Sequence, residues 1–188
     1  DSELLKNLEW FKNRAEEQNN LEAPIIRKPF FCSGCPHNSS LKVPEGKRAL
    51  GGIGCHYMAV DSIESTEFFT QMGGEGTPWI GIAPFSHEKH VFANLGDGTY
   101  KHSGILAIRA SLDANVNITY KILYNDAVAM TGGQEIGSNW DVEGIVKQVL
   151  AEGVKKVSIL SEDPKRYNPL VKNEVKCLHR DAIITDQE

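Results

Sequence analysis

The sequence predicts an α/β domain built on an open, doubly wound, mostly parallel sheet. Two runs of strand length, His90-Val91-Phe92-Ala93-Asn94-Leu95 and Ile118-Thr119-Tyr120-Lys121-Ile122-Leu123, are rich in β-branched and aromatic residues. Between them, residues 104–114 carry Ile105, Leu106 and Ile108 with Ala107 and Ala110, a spacing that suits a helix lying on a sheet. The alternation repeats, with a helix expected over 142–152 and strands over 156–160 and 175–178. A strand that passes through a helix before the next strand returns parallel to the first with a right-handed crossover. Repeating that unit winds a parallel sheet covered on both faces.

The segments before this repeat differ in character. Residues 2–20 form a helical arm in which Ser2 can cap the first turn and Leu4, Leu5, Leu8 and Phe11 recur at helical spacing, before Asn19-Asn20 ends it. Residues 21–47 form a cysteine-bearing loop, rich in Pro, Cys, Ser and Asn between 24 and 44 and able to wrap a site. From Arg48 onward, short apolar runs separated by glycines take over. Trp10, Trp79 and Trp140 read as core or interface residues. The 188 residues fit one compact domain, 1–188. Because the chain opens at Asp1 and stops just after the patterned Asp181-Ala182-Ile183-Ile184, it reads as a part of a longer multidomain polypeptide.

Composition narrows the function classes. Hydrophobic residues at 40% and charged residues at 24% are ordinary for a soluble domain. No apolar run approaches the roughly 20 residues of a membrane span. A formal charge of -5 argues against a nucleic-acid surface, which needs Lys and Arg to neutralise phosphates. No secretory leader precedes the body, and a cytoplasmic location is expected. There, cysteine pairs serve more often as metal ligands or redox groups than as disulfides, which bears on Cys32, Cys35, Cys55 and Cys177.

In such sheets ligands bind beyond the carboxyl ends of the strands. One predicted strand ends in Gly96-Asp97-Gly98 and its neighbour in Tyr124-Asn125-Asp126. Asp97 offers an anionic oxygen, Asn125 an amide oxygen and Ala127 a backbone carbonyl. With two phosphate oxygens and a water, these three complete the octahedron that Mg2+ demands. Gly96 and Gly98 let the backbone approach the phosphates, and a helix starting near Ser103 would present free N–H groups to them. Taken alone, Gly-Asp-Gly after a strand also serves simply as a turn.

The spacing of that motif from Asn125, about one strand-helix-strand unit, resembles the thiamine-diphosphate signature. The continuation Ala127-Val128-Ala129-Met130-Thr131-Gly132-Gly133-Gln134 is similar to a turn of the 2-oxoacid ferredoxin oxidoreductases. Many thiamine enzymes carry Asn-Asn where this chain has Asn125-Asp126. Register on the Thr-Gly-Gly-Gln turn assigns the metal to Asn125 and leaves Asp126 as a solvated or structural acid. Phe31-Cys32-Ser33-Gly34-Cys35-Pro36-His37 and Gly52-Ile53-Gly54-Cys55-His56-Tyr57 extend the resemblance to the indolepyruvate type over residues 27–180. Its most distinctive strings are Met72-Gly73-Gly74-Glu75-Gly76 and the run from Leu95 to Gly104.

The resemblance implies that Cys32, Cys35 and Cys55 bind a 4Fe-4S cluster beside the cofactor, with the fourth thiolate from Cys177 or from beyond Glu188. A structural zinc site is the alternative for Cys32 and Cys35. The cofactor-lining set is His37, Cys55, His56, Gly74, Gly96, Asp97, Gly98, Thr99, Asn125, Ala127, Val128 and Met130. His37 is read either as reaching the cofactor or as a surface histidine, and Met130 either as an apolar wall or as core. Glu75 is a loop residue, because the family's catalytic glutamate comes from a separate domain. His87 and His90 lack the HExxH spacing and should face solvent.

The chain is thus expected to be the diphosphate-binding half of an enzyme that uses thiamine diphosphate and Mg2+. The parent would oxidatively decarboxylate an aryl 2-oxoacid such as indolepyruvate in the presence of coenzyme A, with electrons passing to the iron-sulfur cluster and then to ferredoxin. Its partners would be the pyrimidine-binding domain of the same enzyme and further copies in a homo-oligomer, and the isolated chain would be inactive. The alternative is a non-catalytic, zinc-containing α/β binding module. A conventional nucleotide site has little support, since neither GxGxxG nor GxxxxGK(S/T) occurs in full.

Overall fold

The computed structural model describes residues 2–20, 29–62, 66–137 and 141–187. Trp140 and part of the cysteine-bearing loop lie outside them. The first helix, α1 (Ser2–Asn19), buries none of its residues, so Trp10 is exposed rather than in a core. A short helix α2 (His37–Ser40) leads to β1 (Ala49–Gly51), α3 (Ala59–Ser62), β2 (Thr66–Phe69) and α4 (Thr77–Ile82). Then come β3 (Val91–Gly96), the helical turn α5 (Asp97–Thr99), α6 (Ile105–Asp113) and β4 (Ile118–Leu123). A small hairpin, β5 (Ala127–Val128) with β6 (Gln134–Glu135), precedes α7 (Val142–Ala151), β7 (Val157–Ser161), β8 (Val175–His179) and α8 (Ile183–Gln187).

The central sheet runs β2-β1-β3-β4 with every pairing parallel. The α/β expectation therefore stands, and the long elements fall within a residue or two of their expected positions. β1 and β2 carry too few residues for period-two alternation to be legible. The parallel ladder of the central sheet stops at β4, while β7 and β8 pair with each other in a separate parallel ladder.

β3 is buried at five of its six positions, as a central strand covered on both faces must be. On one face Leu95 packs with Tyr100, Ile108, Ile145 and Val149, so α6 and α7 share a core against the sheet. Val146, on another side of α7, packs with Ile159 and Val175, which binds the β7-β8 unit to the same helix. Asp141 caps α7 by accepting the Gly144 N–H at 2.8 Å. Trp79 is buried with Leu50, Val91 and Ala93, and its indole N–H donates to the Asn117 carbonyl at 3.0 Å.

The cysteine-bearing loop supplies a further apolar cluster, in which Phe31, Leu41, Ala59 and Leu123 pack together. Lys121 fastens this loop to β4 by donating to the carbonyls of Ser40 at 2.9 Å and Lys42 at 2.7 Å. Its ammonium also lies 5.4 Å from the centre of the Phe92 ring. Burial pushes the Lys121 ammonium down to about 7. Arg180, just past β8, adds a second tether by donating to Ser39 Oγ at 2.7 Å.

Candidate cofactor site at the strand ends

Parallel register pairs Gly96 with Leu123, so the chain leaves β3 and β4 at the same level and the two following turns meet. Asp97 joins them. Its Oδ2 accepts the Asn125 N–H at 2.8 Å and the Asp126 N–H at 2.7 Å, while Oδ1 accepts the Gly98 N–H at 2.8 Å. The carboxylate is only 5% exposed. Three hydrogen bonds use three of the about four lone-pair directions of a carboxylate and leave one for a cation. Asn125 shapes the opposite side, its Oδ1 accepting the Ala127 N–H at 3.0 Å.

Asp126 has φ of +56°, a left-handed conformation that side chains other than Gly, Asn and Asp enter at a cost. Its own carboxylate is exposed, while its N–H serves Asp97. An aspartate suits this position because the turn asks for a backbone conformation rather than for a second amide.

The helix does not begin near Ser103 as expected. Helical structure starts directly at Asp97, passes through a wider turn over Tyr100–Gly104 and continues as α6. The backbone nearest the strand end is therefore Asp97-Gly98-Thr99 itself, with Thr99 buried. Gly98 is closely covered, since a Cβ there would lie 3.3 Å from Val128 Cγ2 and 4.0 Å from Ile136 Cδ1. Lys101 donates to the Ile136 carbonyl and so ties the far end of the β5-β6 hairpin to the same helix. Val128 thus reaches the site, whereas Met130 is 61% exposed and belongs to no core.

His37 and His56 are both buried, at 8% and 2% exposure, which rules out the surface reading of His37. His56 Nε2 accepts the Gly52 N–H at 3.0 Å, so the proton of the neutral ring sits on Nδ1. Burial, and then the neighbouring His37, push His56 down to about 4. A Cβ built on Gly96 would lie 4.0 Å from His56 Cε1, which puts this ring against the start of the Asp97 turn. His37 is also lowered, first by burial, with Asp97 opposing and Arg180 reinforcing. Both His37 ring nitrogens are buried without a hydrogen-bond partner among the described residues. An imidazole with unmet polar atoms in electrostatic reach of Asp97 fits a site for a phosphate-bearing ligand.

The cysteines divide into two groups. Cys35 N–H donates to the Cys32 carbonyl at 3.0 Å. The Cys55 thiol is pushed up by burial first, then by Cys35 and by Cys32, so the three share one neighbourhood. Among the described residues, no group of three His, Cys, Asp or Glu side chains closes into a metal-ligand set. Cys177 is elsewhere, packed with Val146, Ile159 and Val175 and with its Sγ 3.4 Å from the Tyr167 carbonyl. It behaves as a core cysteine of the β7-β8 unit.

One further expectation changes. His90 does not face solvent; it is half-buried, 2.8 Å from Thr119 Oγ1 and edge-on to the Phe92 ring. Glu75 lies in the loop before α4, as expected, and is fully buried there at 0% exposure. Gly74 lies in the turn beside it, with Thr77 Oγ1 donating to the Gly74 carbonyl at 2.7 Å. Sequence reasoning also missed Lys121 and Arg180. A lysine inside the apolar run of β4 was a visible signal for the first, whereas the Arg180-Ser39 contact joins residues 141 apart and left none.

A parallel sheet with a buried aspartate joining the ends of the neighbouring strands β3 and β4 defines an α/β domain with its ligand site at the carboxyl edge. Residues 52–160 match the family model described as thiamine pyrophosphate enzyme, C-terminal TPP binding domain, and the chain belongs to that family. Indolepyruvate oxidoreductase subunit IorA of Archaeoglobus fulgidus is 29% identical over 163 residues, covering 77% of this chain and 26% of the relative. The subunit of the same name from Thermococcus kodakarensis is 27% identical over 150 residues, covering 69% and 23%. This chain therefore spans about a quarter of the length of these curated relatives. The solved 2-oxoglutarate:ferredoxin oxidoreductase from Magnetococcus marinus shares the fold, with a TM-score of 0.58 and 20% identity over 86% of this chain and 69% of that one.

Proposed function

We propose that this chain is the diphosphate-binding half of a thiamine-dependent 2-oxoacid oxidoreductase of the indolepyruvate type. The observation that carries the reading is the Asp97 carboxylate, buried between the two strand ends and bonded to the N–H groups of Asn125 and Asp126. Asp97, the Asn125 side chain and the Ala127 carbonyl would hold Mg2+. The backbone of Gly96, Gly98 and Thr99 would face the phosphates, and His37 would donate to one of their oxygens. Thiamine diphosphate, when bound, supplies the electron sink for decarboxylating a 2-oxoacid. This chain's residues contribute placement and electrostatics, with Val128 and Ile136 shielding the turn at Gly98 from water.

Cys32, Cys35 and Cys55 would take up an iron-sulfur cluster, with the fourth ligand from outside these 188 residues, since Cys177 is committed to the β7-β8 core. A domain that completes the pyrimidine side, ferredoxin as electron acceptor and coenzyme A as acyl acceptor follow from the same reading, as does an aryl side chain on the 2-oxoacid. Calorimetric titration of magnesium thiamine diphosphate into the wild type and Asp97→Ala tests the reading. Binding by the wild type that is lost in the variant is the expected result, and equal binding by both would refute it. An optical spectrum with metal analysis separates iron-sulfur from zinc, and the isolated chain should form no acyl-CoA.

A further inference from the structure

The most completely buried acid in the described structure, Glu75, has no part in the magnesium corner. Its Oε2 accepts the Gly73 N–H at 2.7 Å, while Oε1 is buried with no hydrogen-bond partner among the described residues. On the other side the carboxyl group presses on Gly52. A Cβ built there would lie 2.0 Å from Oε1 and 2.6 Å from Cγ and Cδ, so only glycine tolerates this approach. Gly73, at φ +92°, is equally constrained, because a Cβ on it would lie 2.2 Å from Ser103 Oγ. Glu75 is therefore wedged between two glycine turns. One belongs to the loop before α4 and the other to the carboxyl end of β1.

The wedge connects to the site. Gly52 donates its N–H to His56, and His56 lies against Gly96 at the end of β3. The Glu75 backbone is anchored separately, its carbonyl accepting from Tyr120 Oη at 2.9 Å. Burial raises the Glu75 carboxyl above its ordinary value, and in the neutral form its O–H has no acceptor among the described residues. Glu75 meets the Gly73 N–H but leaves its second buried oxygen unpaired among the described residues, a costly state for a purely structural side chain.

Sheet order assigns this wedge a place relative to the diphosphate. β1 and β4 flank β3 on opposite sides. The cation corner lies between β3 and β4, and the Glu75 wedge lies at the end of β1, across β3 from it. Neighbouring strands are about 4.8 Å apart, so the two features are separated by roughly the length of a small heterocycle and its linker. A ligand anchored by its diphosphate at β3 and β4 and extending along the strand ends would lay its organic part over the Gly52 and Gly73 turns.

We propose that Glu75 is a positioning residue for the organic half of that ligand, holding the Gly73 and Gly52 turns at the separation the ligand's rings require. The proposal rests on the cofactor reading above and assigns Glu75 no contact with the phosphates. It therefore separates two probes, magnesium thiamine diphosphate and magnesium pyrophosphate, titrated calorimetrically into the full-length protein. Glu75→Leu should weaken thiamine diphosphate by about tenfold or more and leave pyrophosphate within about twofold. Glu75→Gln should restore binding, because a carboxamide can still accept the Gly73 N–H and keeps a donor where the acid has one. Gly52→Ala, which drives a methyl group into Oε1, should weaken thiamine diphosphate with the same selectivity, and it serves where Glu75→Leu fails to fold.

Unchanged thiamine diphosphate binding in Glu75→Leu or Gly52→Ala, or equal loss of both probes, would overturn the proposal while leaving the cofactor reading intact. So would a Glu75→Gln variant as weak as Glu75→Leu. A wild type that binds neither probe would remove the cofactor reading and this inference with it.

Discussion

Two parts of the strand-end region solve the same problem of buried polar atoms in opposite ways. Toward β4, Asp97 meets the N–H groups of Gly98, Asn125 and Asp126, so that corner is preassembled by the chain's own backbone. Away from that corner, on the Phe92 face and at the end of β1, both His37 nitrogens, both Asn94 amide atoms and Glu75 Oε1 are buried without a partner among the described residues. Each such atom costs about 1–3 kcal/mol when left unmet. A fold retains several of them together where something other than stability selects the residues. The first region is rigid because it is satisfied; the second becomes complete only with a further group.

The largest effect that could break this contrast is at Asp97. Asp97→Ala leaves three N–H groups without their acceptor, removes the only anionic oxygen proposed for the cation, and should weaken magnesium thiamine diphosphate by about 100-fold or more. Because the corner also ties the strand ends together, the thermal midpoint should fall as well. A midpoint equal to wild type would mean that the corner is not preassembled by this carboxylate.

His37→Phe probes the other region and should behave differently. It replaces two unmet nitrogens by an apolar ring of similar shape, so the unfolding midpoint should hold or rise while cofactor affinity drops by about tenfold. A lower midpoint with unchanged affinity would make the His37 pocket as purely structural as any core.

A smaller effect concerns Lys121, which holds the cysteine-bearing loop over the Phe92 face. Its folded value of about 7 lies below its usual 10.5, so between those values the unfolded chain binds the extra proton. Stability should therefore rise as pH climbs from about 7 toward 10.5, and the burial cost is fully present below 7. Lys121→Met should flatten that slope in denaturant titrations. At pH 9 it should cost about 1–2 kcal/mol, because the Ser40 and Lys42 carbonyls lose their donor. A wild-type slope in the variant would trace the pH dependence to another group.

The smallest effect is expected at Cys177. Cys177→Ala should leave bound iron or zinc unchanged and cost about 1 kcal/mol, the loss of a small, partly buried side chain. A variant that loses its metal would reassign Cys177 to the cysteine site of the 32–55 region.

Much of the Asp97 corner is legible in the sequence, and little of the opposite side is. A Gly-Asp-Gly after one apolar run and an Asn after the next suffice to bring Asp97 and Asn125 together, because parallel register forces the ends of adjacent strands to coincide. His37 and His56 stand out by their neighbours in the chain, yet nothing local marks them as buried. Glu75 misleads for the same reason. A glutamate among glycines reads as a loop residue, and only the approach of Gly52 to its carboxyl group and of Tyr120 to its carbonyl shows that it is sealed.

By itself the sequence determined the alternation of strand and helix, the parallel sheet, the meeting of Asp97 with the Asn125 turn and the cysteine-rich character of the early loop. These follow from periodicity and spacing, which act over a few residues or over one crossover. Only the tertiary structure decided that Cys177 stands apart from the other thiols, that Lys121 and Arg180 fasten the loop, and that Glu75 is sealed between two glycine turns. Burial is a property of what packs on a residue from distant parts of the chain, and no local pattern encodes it.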